Sequence, residues 1–296
     1  MNKRLFNIKL AFSIVVFISF ALFVNTNYLY SNNVESITSI DQIINKSEKK
    51  IEYRSVTSAL KLKYTDVRSN FASDKVFANF RNVNAGNIKD NILYRGASPI
   101  DNSRKRAKYA NDLMKEANIQ YDVDLSDSED KVKKHINKGD CKSDYFLKLY
   151  NENNVCMLHM QTNYTKEDYD KKVVDALINM SKHEGPYYVH CVEGQNRTGF
   201  VCMILEALTG ASYEEIVNDY MISYENYYKI TELTNKEKYD NIKTNCIDNM
   251  LRFIVNDVNE VYELKDVKWD IAAKNFLLKN GMGINDINIL INKLTK

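Results

Sequence analysis

Residues 187–200 read YYVHCVEGQNRTGF and join a short apolar run to the start of a second one through a polar loop. The first run, YYVHC, predicts a buried strand. The second, RTGFVCMILEALTG, predicts an apolar helix that ends at Gly210. A loop between a strand and a helix gathers backbone N–H groups at the positive end of the helix dipole. The stretch therefore predicts an anion-binding loop.

Two side chains in this loop indicate phosphoryl chemistry. Cys191 follows the predicted strand, where the helix dipole is expected to lower its pKa and make the thiolate a nucleophile. Arg197 returns at the end of the loop, where its planar guanidinium can bind two phosphate oxygens. Thr198 places a hydroxyl beside the sulfur. We expect His190, at the buried end of the strand, to orient the loop rather than to transfer protons.

The rest of the loop is predicted to bind phosphate through its backbone. Gly194 allows the main chain to approach a ligand without a side chain in the way. Glu193 is expected to point outward, because a carboxylate inside the loop would repel phosphate. The predicted phosphate-binding residues are Val192, Glu193, Gly194, Gln195, Asn196 and Thr198.

Outward from the loop, strands and helices alternate along the chain. KVFANFRNVNAG, ILYRGASP, YDVDLS and VCMLHM are interpreted as short strands. A helix is predicted after Ser103 as N-cap, and Arg104, Lys105, Arg106 and Lys108 are interpreted as its solvated face. TKEDYDKKVVDALINMSKHEG predicts an amphipathic helix, and the chain from residue 213 onward reads as mostly helical, closing in a helical hairpin with Gly281 or Gly283 at the turn. This order predicts an α/β fold with crossover helices.

The motif HCx5R followed by threonine resembles the cysteine-dependent protein tyrosine phosphatases, in particular their atypical bacterial tyrosine and dual-specificity group. ANFRNV, LYRGASP, NIQYDVDLSDSED and the C-terminal KNFLLKNGMGINDINILINKL extend the resemblance over roughly residues 75–296. It implies one phosphatase domain with a four- or five-stranded, largely parallel sheet flanked by helices, plus a helical C-terminal extension. It also implies a phosphocysteine intermediate on Cys191, no metal or other cofactor, and phosphorylated proteins as substrates, with phosphoinositides as a further class.

Three positions depart from the pattern of this group. Asn196 replaces the loop aspartate that serves as general acid in similar proteins, Gln195 replaces a lysine used against additional phosphates, and Ser126 replaces the arginine of the "DLR" strand. An amide cannot donate a proton to a leaving phenolate, so a donor must come from elsewhere. Relatives use an aspartate on a loop ahead of the cysteine, where this chain offers His159, Glu167, Asp168 and Asp170. Asp168 is the preferred candidate, with helix capping as its alternative role and with Asp124 and Asp127 as further candidates.

The first residues read as a targeting segment. Lys3, Arg4 and Lys9 precede an apolar run from Leu10 to Val24. Because a bilayer span needs about 20 apolar residues, this pattern favours a secretory signal over a stable anchor. We predict a signal peptide or N-terminal anchor over residues 1–26, with residues 6–24 as the membrane segment if it is retained. Residues 27–74 are predicted to be a polar tether or short helix, and residues 75–296 the phosphatase-like domain.

Composition narrows the class of protein. The 296 residues carry 41 basic and 39 acidic side chains, and this balance argues against non-specific binding of nucleic acid. The five cysteines show no metal-like spacing, and we interpret one as functional and four as ordinary thiols, with a disulfide at Cys141 as the alternative. The chain is therefore expected to be an exported, secreted or surface-bound phosphatase. The alternative is a module that binds phosphoproteins or inositol phosphates with little or no turnover.

Overall fold

Five strands form one sheet in the computed structural model, which describes residues 59–139, 142–255 and 263–296. The strands are β1 (Arg81–Asn82), β2 (Leu93–Ala97), β3 (Tyr121–Asp124), β4 (Val155–Met157) and β5 (Tyr187–Cys191). Their order across the sheet is β1-β2-β5-β3-β4, and only β1 runs antiparallel to its neighbour. The predicted α/β fold with a largely parallel sheet of four or five strands is confirmed.

Helices connect and follow these strands. They are α1 (Asp74–Phe77), α2 (Ala107–Glu116), α3 (Glu129–Lys138), α4 (Asp144–Asn151), α5 (Tyr169–Lys182), α6 (Asn196–Leu208), α7 (Tyr213–Tyr228), α8 (Lys236–Ile242), α9 (Asp248–Val255), α10 (Trp269–Lys279) and α11 (Ile284–Leu294). A π-helical turn, Lys243–Ile247, joins α8 to α9. The predicted helical C-terminal extension is thus present, and Gly281 (φ +97°) occupies the turn of the closing hairpin.

Both faces of the sheet are covered, as the alternation along β5 shows. Tyr187 and Val189 belong to the main core, which includes residues of α5, α6, α10 and α11. Tyr188 faces the other way and packs with α2 and α4 residues such as Leu113 and Leu149. Since a parallel strand buried on both faces reads as a continuous apolar run, this burial explains why β5 shows no polar alternation in the sequence.

The register places the carboxyl ends of the three central strands together. Cys191 pairs with Ala97 at the end of β2, and His190 pairs with Asp124 at the end of β3. In parallel α/β sheets this edge is where ligands bind, because the loops that leave it converge there. The site therefore lies between the loops that follow β2, β3, β4 and β5.

Two local predictions were wrong, and a third was wrong for one residue. KVF does not begin a strand: it lies in α1, where the Ser73 side chain accepts a hydrogen bond from Val76 N, and the strand is limited to β1. Ser103 is not the N-cap of α2, since it lies in a 3-10 turn and the helix begins at Ala107. Of the four basic residues interpreted as a solvated face, Arg104, Lys105 and Lys108 are exposed as predicted, whereas Arg106 is fully buried. α3 and α4 had no counterpart among the predicted elements.

The predicted targeting segment, residues 1–26, and most of the predicted tether lie outside the described residues. Within the described ranges, no helix is long and apolar enough to cross a membrane. Residues 59–74 are described, and they pack on the domain through Leu60, Leu62 and Tyr64. Cys156, Cys191, Cys202 and Cys246 are free thiols, whereas Cys141 lies outside the described residues.

Candidate active site

The loop 192–195 connects the end of β5 to the start of α6. Cys191 is the last residue of β5 and is only 4% exposed. Ser98 N, just after β2, donates to Val192 O at 3.3 Å and joins the loop to the neighbouring strand. α6 begins at Asn196, so the backbone N–H groups of its first turn point toward the loop without intrahelical partners. The loop therefore lies at the positive end of the dipole of the 13-residue helix α6.

Cys191 is in the environment of a nucleophile. Burial alone would raise the pKa of its thiol, but the Arg197 guanidinium, the Thr198 hydroxyl and the backbone N–H groups of Thr198 and Glu193 outweigh burial and lower it. The buried Thr198 Oγ1 has no conventional hydrogen bond within the described part of the chain. The Thr198 hydroxyl therefore acts on the pKa of Cys191 as a dipole close to the sulfur. This balance favours the thiolate more than the surroundings of an ordinary buried cysteine would.

Arg197 is positioned by the chain that follows β4. Its Nη1 donates to Met160 O at 3.1 Å, and the side chain is partly exposed. Met160 in turn hydrogen-bonds to Leu125 O after β3. This contact fixes one edge of the guanidinium. Among the groups that lower the pKa of Cys191, the Arg197 charge has the largest effect.

The carbonyl oxygens of the loop are bound from outside. Asn79 Nδ2 donates to Gly194 O at 3.0 Å and to Glu193 O at 3.3 Å. Arg95 Nη2 donates to Gly194 O at 3.2 Å, and the Tyr227 hydroxyl donates to Glu193 O at 2.6 Å. A loop whose carbonyl groups are bound outward presents its N–H groups to the interior, which is the arrangement that binds an anion.

A buried charge network supports this side of the loop. Asp219 forms an ion pair with Arg95 and another with Arg81, whose Nε lies 2.8 Å from Asp219 Oδ1. Burial would raise the pKa of Asp219, but the two arginines hold it well below its usual range. Glu206 lies beside it, and burial together with the Asp219 charge raises the pKa of its carboxyl well above its usual range. The network joins β1, β2, α6 and α7 behind the loop.

Sequence reasoning missed Asn79, Arg95, Asp219 and Tyr227. Of these only Arg95 carried a signal, since it is a charged residue inside the strand LYRGA, all five residues of which are buried. A buried charge requires a partner, so it pointed to an acidic residue elsewhere. The partner, Asp219, is 124 positions away, and nothing local marks it.

Gly194 has a packing role that the sequence did not predict. Its φ is +67°, and a Cβ at this position would lie 2.2 Å from the carbonyl carbon and oxygen of Gly96. The residue therefore allows the loop to turn in a left-handed conformation and to pack directly on the backbone of β2. This requirement for glycine comes from β2, and the predicted approach of the main chain to a ligand stays a prediction.

His190 is fully buried, and its Nε2 lies 3.1 Å from Asp122 Oδ2. Burial would lower the pKa of His190, but Asp122 and Asp124 outweigh it and raise the pKa to about 9. Asp124 also accepts hydrogen bonds from Ser126 N, Ser126 Oγ and Asp127 N. His190 and Asp124 thus hold the ends of β5 and β3, which agrees with an orienting role.

The candidate proton donors lie in different surroundings. Asp168 precedes α5 with its side chain 53% exposed, and it pairs with Lys172 at 3.1 Å, a contact that lowers its pKa. Within the described residues, no hydrogen bond or ion pair joins Asp168 to the loop.

Asp127 is 2% exposed, and burial raises its pKa to about 6. Its backbone carbonyl oxygen accepts a hydrogen bond from His159 N at 3.1 Å, next to Met160.

Asp127 belongs to a small group of potential metal ligands. The ligating atoms of Asp101, Asp127 and His135 lie within 4.8 Å of one another. Asp127 Oδ2 lies 3.6 Å from His135 Nε2. Asp101 follows β2 and Asp127 follows β3, so the group stands at the same sheet edge as Cys191, which ends the strand between them.

The other loop side chains occupy distinct positions. Glu193 points away from the loop interior and pairs with Arg104, Nε to Oε1 at 3.2 Å. Gln195 is buried, at 1% exposure, and its Nε2 has no hydrogen-bond partner within the described ranges. Asn196 Oδ1 accepts from the Tyr220 hydroxyl at 3.3 Å. The outward Glu193 agrees with the sequence-based expectation.

A nucleophilic cysteine and an arginine around an anion-binding loop, at the carboxyl edge of a parallel sheet, define a cysteine-dependent phosphatase. The chain belongs to the tyrosine phosphatase family, whose profile matches residues 76–296. No curated protein matches the chain. The family assignment made from the HCx5R motif is thereby confirmed, and family membership implies phosphatase activity on phosphorylated substrates.

Proposed function

We propose that the chain is an exported bacterial phosphatase that hydrolyses phosphotyrosine monoesters through a phosphocysteine on Cys191. One observation carries this proposal: a buried thiol whose pKa is lowered by Arg197, Thr198 and backbone N–H groups. Burial alone has the opposite effect, so the loop stabilises a negative charge at this point. A site that stabilises a thiolate also stabilises a phosphoryl group in transfer.

The first step of the proposed reaction transfers the phosphoryl group to sulfur. Cys191 Sγ attacks phosphorus, the S–P bond forms as the bond to the tyrosyl oxygen breaks, and the leaving oxygen takes a proton from a carboxylic acid. Water then attacks phosphorus, the S–P bond breaks, and the carboxylate accepts a proton from the water. Arg197 and the N–H groups of the loop bind the equatorial oxygens in both steps.

We propose Asp127 as the carboxylic acid. It follows β3, the strand beside β5, and its backbone carbonyl oxygen binds His159 N, next to the Met160 whose carbonyl oxygen accepts from Arg197. Its raised pKa of about 6 favours a protonated carboxyl in mildly acidic solution. Asp168, the candidate preferred from sequence, stays a prediction, and its exposed ion pair with Lys172 favours the ionised form.

Export is proposed from the sequence of residues 1–26, which combines a basic start with 15 apolar residues, Leu10 to Val24. The segment would be cleaved or retained as an anchor, and the substrates would then be phosphoproteins outside the producing cell. Fractionation of bacteria that make the full-length chain measures this directly. Activity confined to the cytosol would contradict it.

Two further substrate classes extend the proposal. Phosphoserine and phosphothreonine have poorer leaving groups than phosphotyrosine, so their hydrolysis depends more strongly on the acid. Phosphoinositides are disfavoured because Gln195 carries no charge and is buried. The same assay with inositol phosphates and phosphoserine peptides ranks these classes.

A phosphate-binding module with little turnover is the second candidate. Asn196 favours it, because this residue stands where similar proteins have an acid and is bound to Tyr220. Tight binding of a phosphotyrosine peptide by the wild-type chain with negligible hydrolysis would support the module. Rapid hydrolysis would exclude it.

The test is hydrolysis of an aryl phosphate by the purified full-length chain with a metal chelator present. Cys191→Ser is expected to abolish turnover and to retain binding of inorganic phosphate, because the loop and Arg197 remain. Arg197→Lys is expected to weaken both, since a point charge cannot replace the bidentate fork. Turnover that survives Cys191→Ser would overturn the mechanism.

A further inference from the structure

Glu193 places a carboxylate in a loop that must bind a dianion. Its backbone carries part of the site, because its N–H lowers the pKa of Cys191 and its carbonyl oxygen is bound by Tyr227 and Asn79. The main chain is thereby fixed, and the side chain leaves the loop on its outer side with 23% exposure. A free carboxylate so close to the loop would repel phosphate.

Two side chains hold this carboxylate. Arg104 Nε lies 3.2 Å from Glu193 Oε1, and the Tyr64 hydroxyl donates a short hydrogen bond to the same oxygen. Burial and the Glu193 charge raise the pKa of Tyr64 well above its usual range. The phenol is therefore a hydrogen-bond donor throughout the working pH range.

The segment that carries Tyr64 is itself anchored beside the loop. The Tyr64 ring stacks on Tyr227 at 4.9 Å between centroids, and the guanidinium carbon of Arg106 lies 5.0 Å from the centroid of the Tyr64 ring. Asp66 forms ion pairs with Arg106 and, at 3.6 Å, with Arg104. Arg106 is fully buried and donates to Phe77 O at 2.9 Å. These contacts lie around residues 64–66, ahead of the part matched by the family profile, which begins at residue 76.

From these contacts we infer that Tyr64 and Arg104 are positioning residues of the phosphatase site: they neutralise the Glu193 carboxylate and hold it outside the phosphate-binding loop. The inference rests on the proposed function. Removing Arg104 leaves a negative charge beside a site for a dianion, so substrate binding weakens while the reacting groups stay in place. The effect belongs mainly to KM and to the affinity for phosphate, and less to kcat.

The test is a double-mutant cycle with Arg104→Ala, Glu193→Gln and the double variant in the full-length chain. Arg104→Ala is expected to raise KM for an aryl phosphate, and the Kd for inorganic phosphate measured by calorimetry, by on the order of three- to tenfold at low salt. kcat is expected to change less than about twofold, because the reacting groups stay in place and only substrate binding is weakened. In the Glu193→Gln background the same substitution is expected to have less than half of this effect on a logarithmic scale, because no carboxylate remains that could turn toward the loop and only the long-range attraction of Arg104 for phosphate is lost.

Tyr64→Phe retains the ring that stacks on Tyr227 and removes only the donor, so it is expected to change KM in the same direction by a smaller factor. Lys108→Ala is the matched control: this exposed lysine pairs with Asp112, and its substitution removes one positive charge from the same region. An unchanged penalty of Arg104→Ala in the Glu193→Gln background would overturn the inference and indicate that Arg104 acts on phosphate through its own charge rather than through Glu193. Absence of turnover in the wild-type chain, with phosphate binding still following the cycle, would refute the proposed function and leave the inference standing.

Discussion

Two aspartates at the residue scale differ in the property that a proton donor needs. Asp127 is buried in the segment that follows β3, and burial raises its pKa to about 6. Asp168 stands in solvent beside Lys172, which lowers its pKa. A general acid must be protonated when the leaving group departs, so the surroundings of Asp127 match the task.

We expect Asp127→Asn to change the pH profile of kcat for an aryl phosphate. The wild-type rate should fall as pH rises through about 6, because Asp127 loses its proton there. The variant should lose this basic limb and be slower at acidic pH by about 10²- to 10⁴-fold. kcat is the quantity to measure, because a free phosphate monoester itself ionises at about pH 6.

Asp168→Asn is the control for this substitution. It removes a carboxylate that is 53% exposed and should leave the basic limb in place. If Asp168→Asn instead abolishes the limb and Asp127→Asn retains it, the sequence-based choice of Asp168 is right and our assignment is wrong.

The decisive unit at the scale of elements is β5, its loop and α6, packed against β2. Gly194 is the point of closest approach, since any side chain there would meet the backbone of Gly96. The loop geometry is therefore set partly by a neighbouring strand that contributes no catalytic group. Small displacements of such a loop cost large factors in rate, because in-line attack needs the sulfur and phosphate aligned.

Gly194→Ala should therefore lower kcat/KM by on the order of 100-fold and weaken binding of inorganic phosphate. Gly139→Ala is the matched control, because Gly139 has a similar φ of +63° at the end of α3 but no described atom within 4 Å of the position that a Cβ would take. It should cost about 1–2 kcal/mol of unfolding free energy and leave activity unchanged. Equal losses of activity in the two variants would show that backbone strain, rather than the contact with Gly96, is the cause.

At the scale of the whole molecule, a buried charge network around Asp219 links β1, β2 and α7 behind the phosphate-binding loop. This residue, on α7, binds Arg81 of β1 and Arg95 of β2, and Arg95 binds loop carbonyl oxygens. The phosphate-binding loop is thus joined to the C-terminal helices through two salt bridges. Loss of one partner leaves buried charges without compensation.

Asp219→Asn should lower the free energy of unfolding in urea by about 3–5 kcal/mol. The exposed Asp240, paired with Lys236 at 3.2 Å, provides the comparison, and Asp240→Asn should change stability by less than about 1 kcal/mol. A change of similar size in both variants would contradict a central role for the network.

The sequence alone determined those features that depend on residues close together along the chain. Cys191 and Arg197 lie within one strand–loop–helix unit, so their spacing and the apolar runs on either side were sufficient to predict the nucleophile, the phosphate ligand and the α/β class. The face of α5 was predictable for the same reason, because helical periodicity places Tyr169, Val173 and Leu177 together, and all are buried.

Only the tertiary structure decided what surrounds that unit. Tyr64 and Arg104 reach the loop from distant parts of the chain, and Asp219 supports it through Arg95. Their sequence neighbours give no sign of these contacts. Arg106 shows the physical reason: beside other basic residues it reads as solvated, but Asp66 and aromatic rings centred 4.5–5.8 Å from its guanidinium carbon compensate its burial. A motif specifies which groups react, whereas long-range packing specifies their charges and their positions.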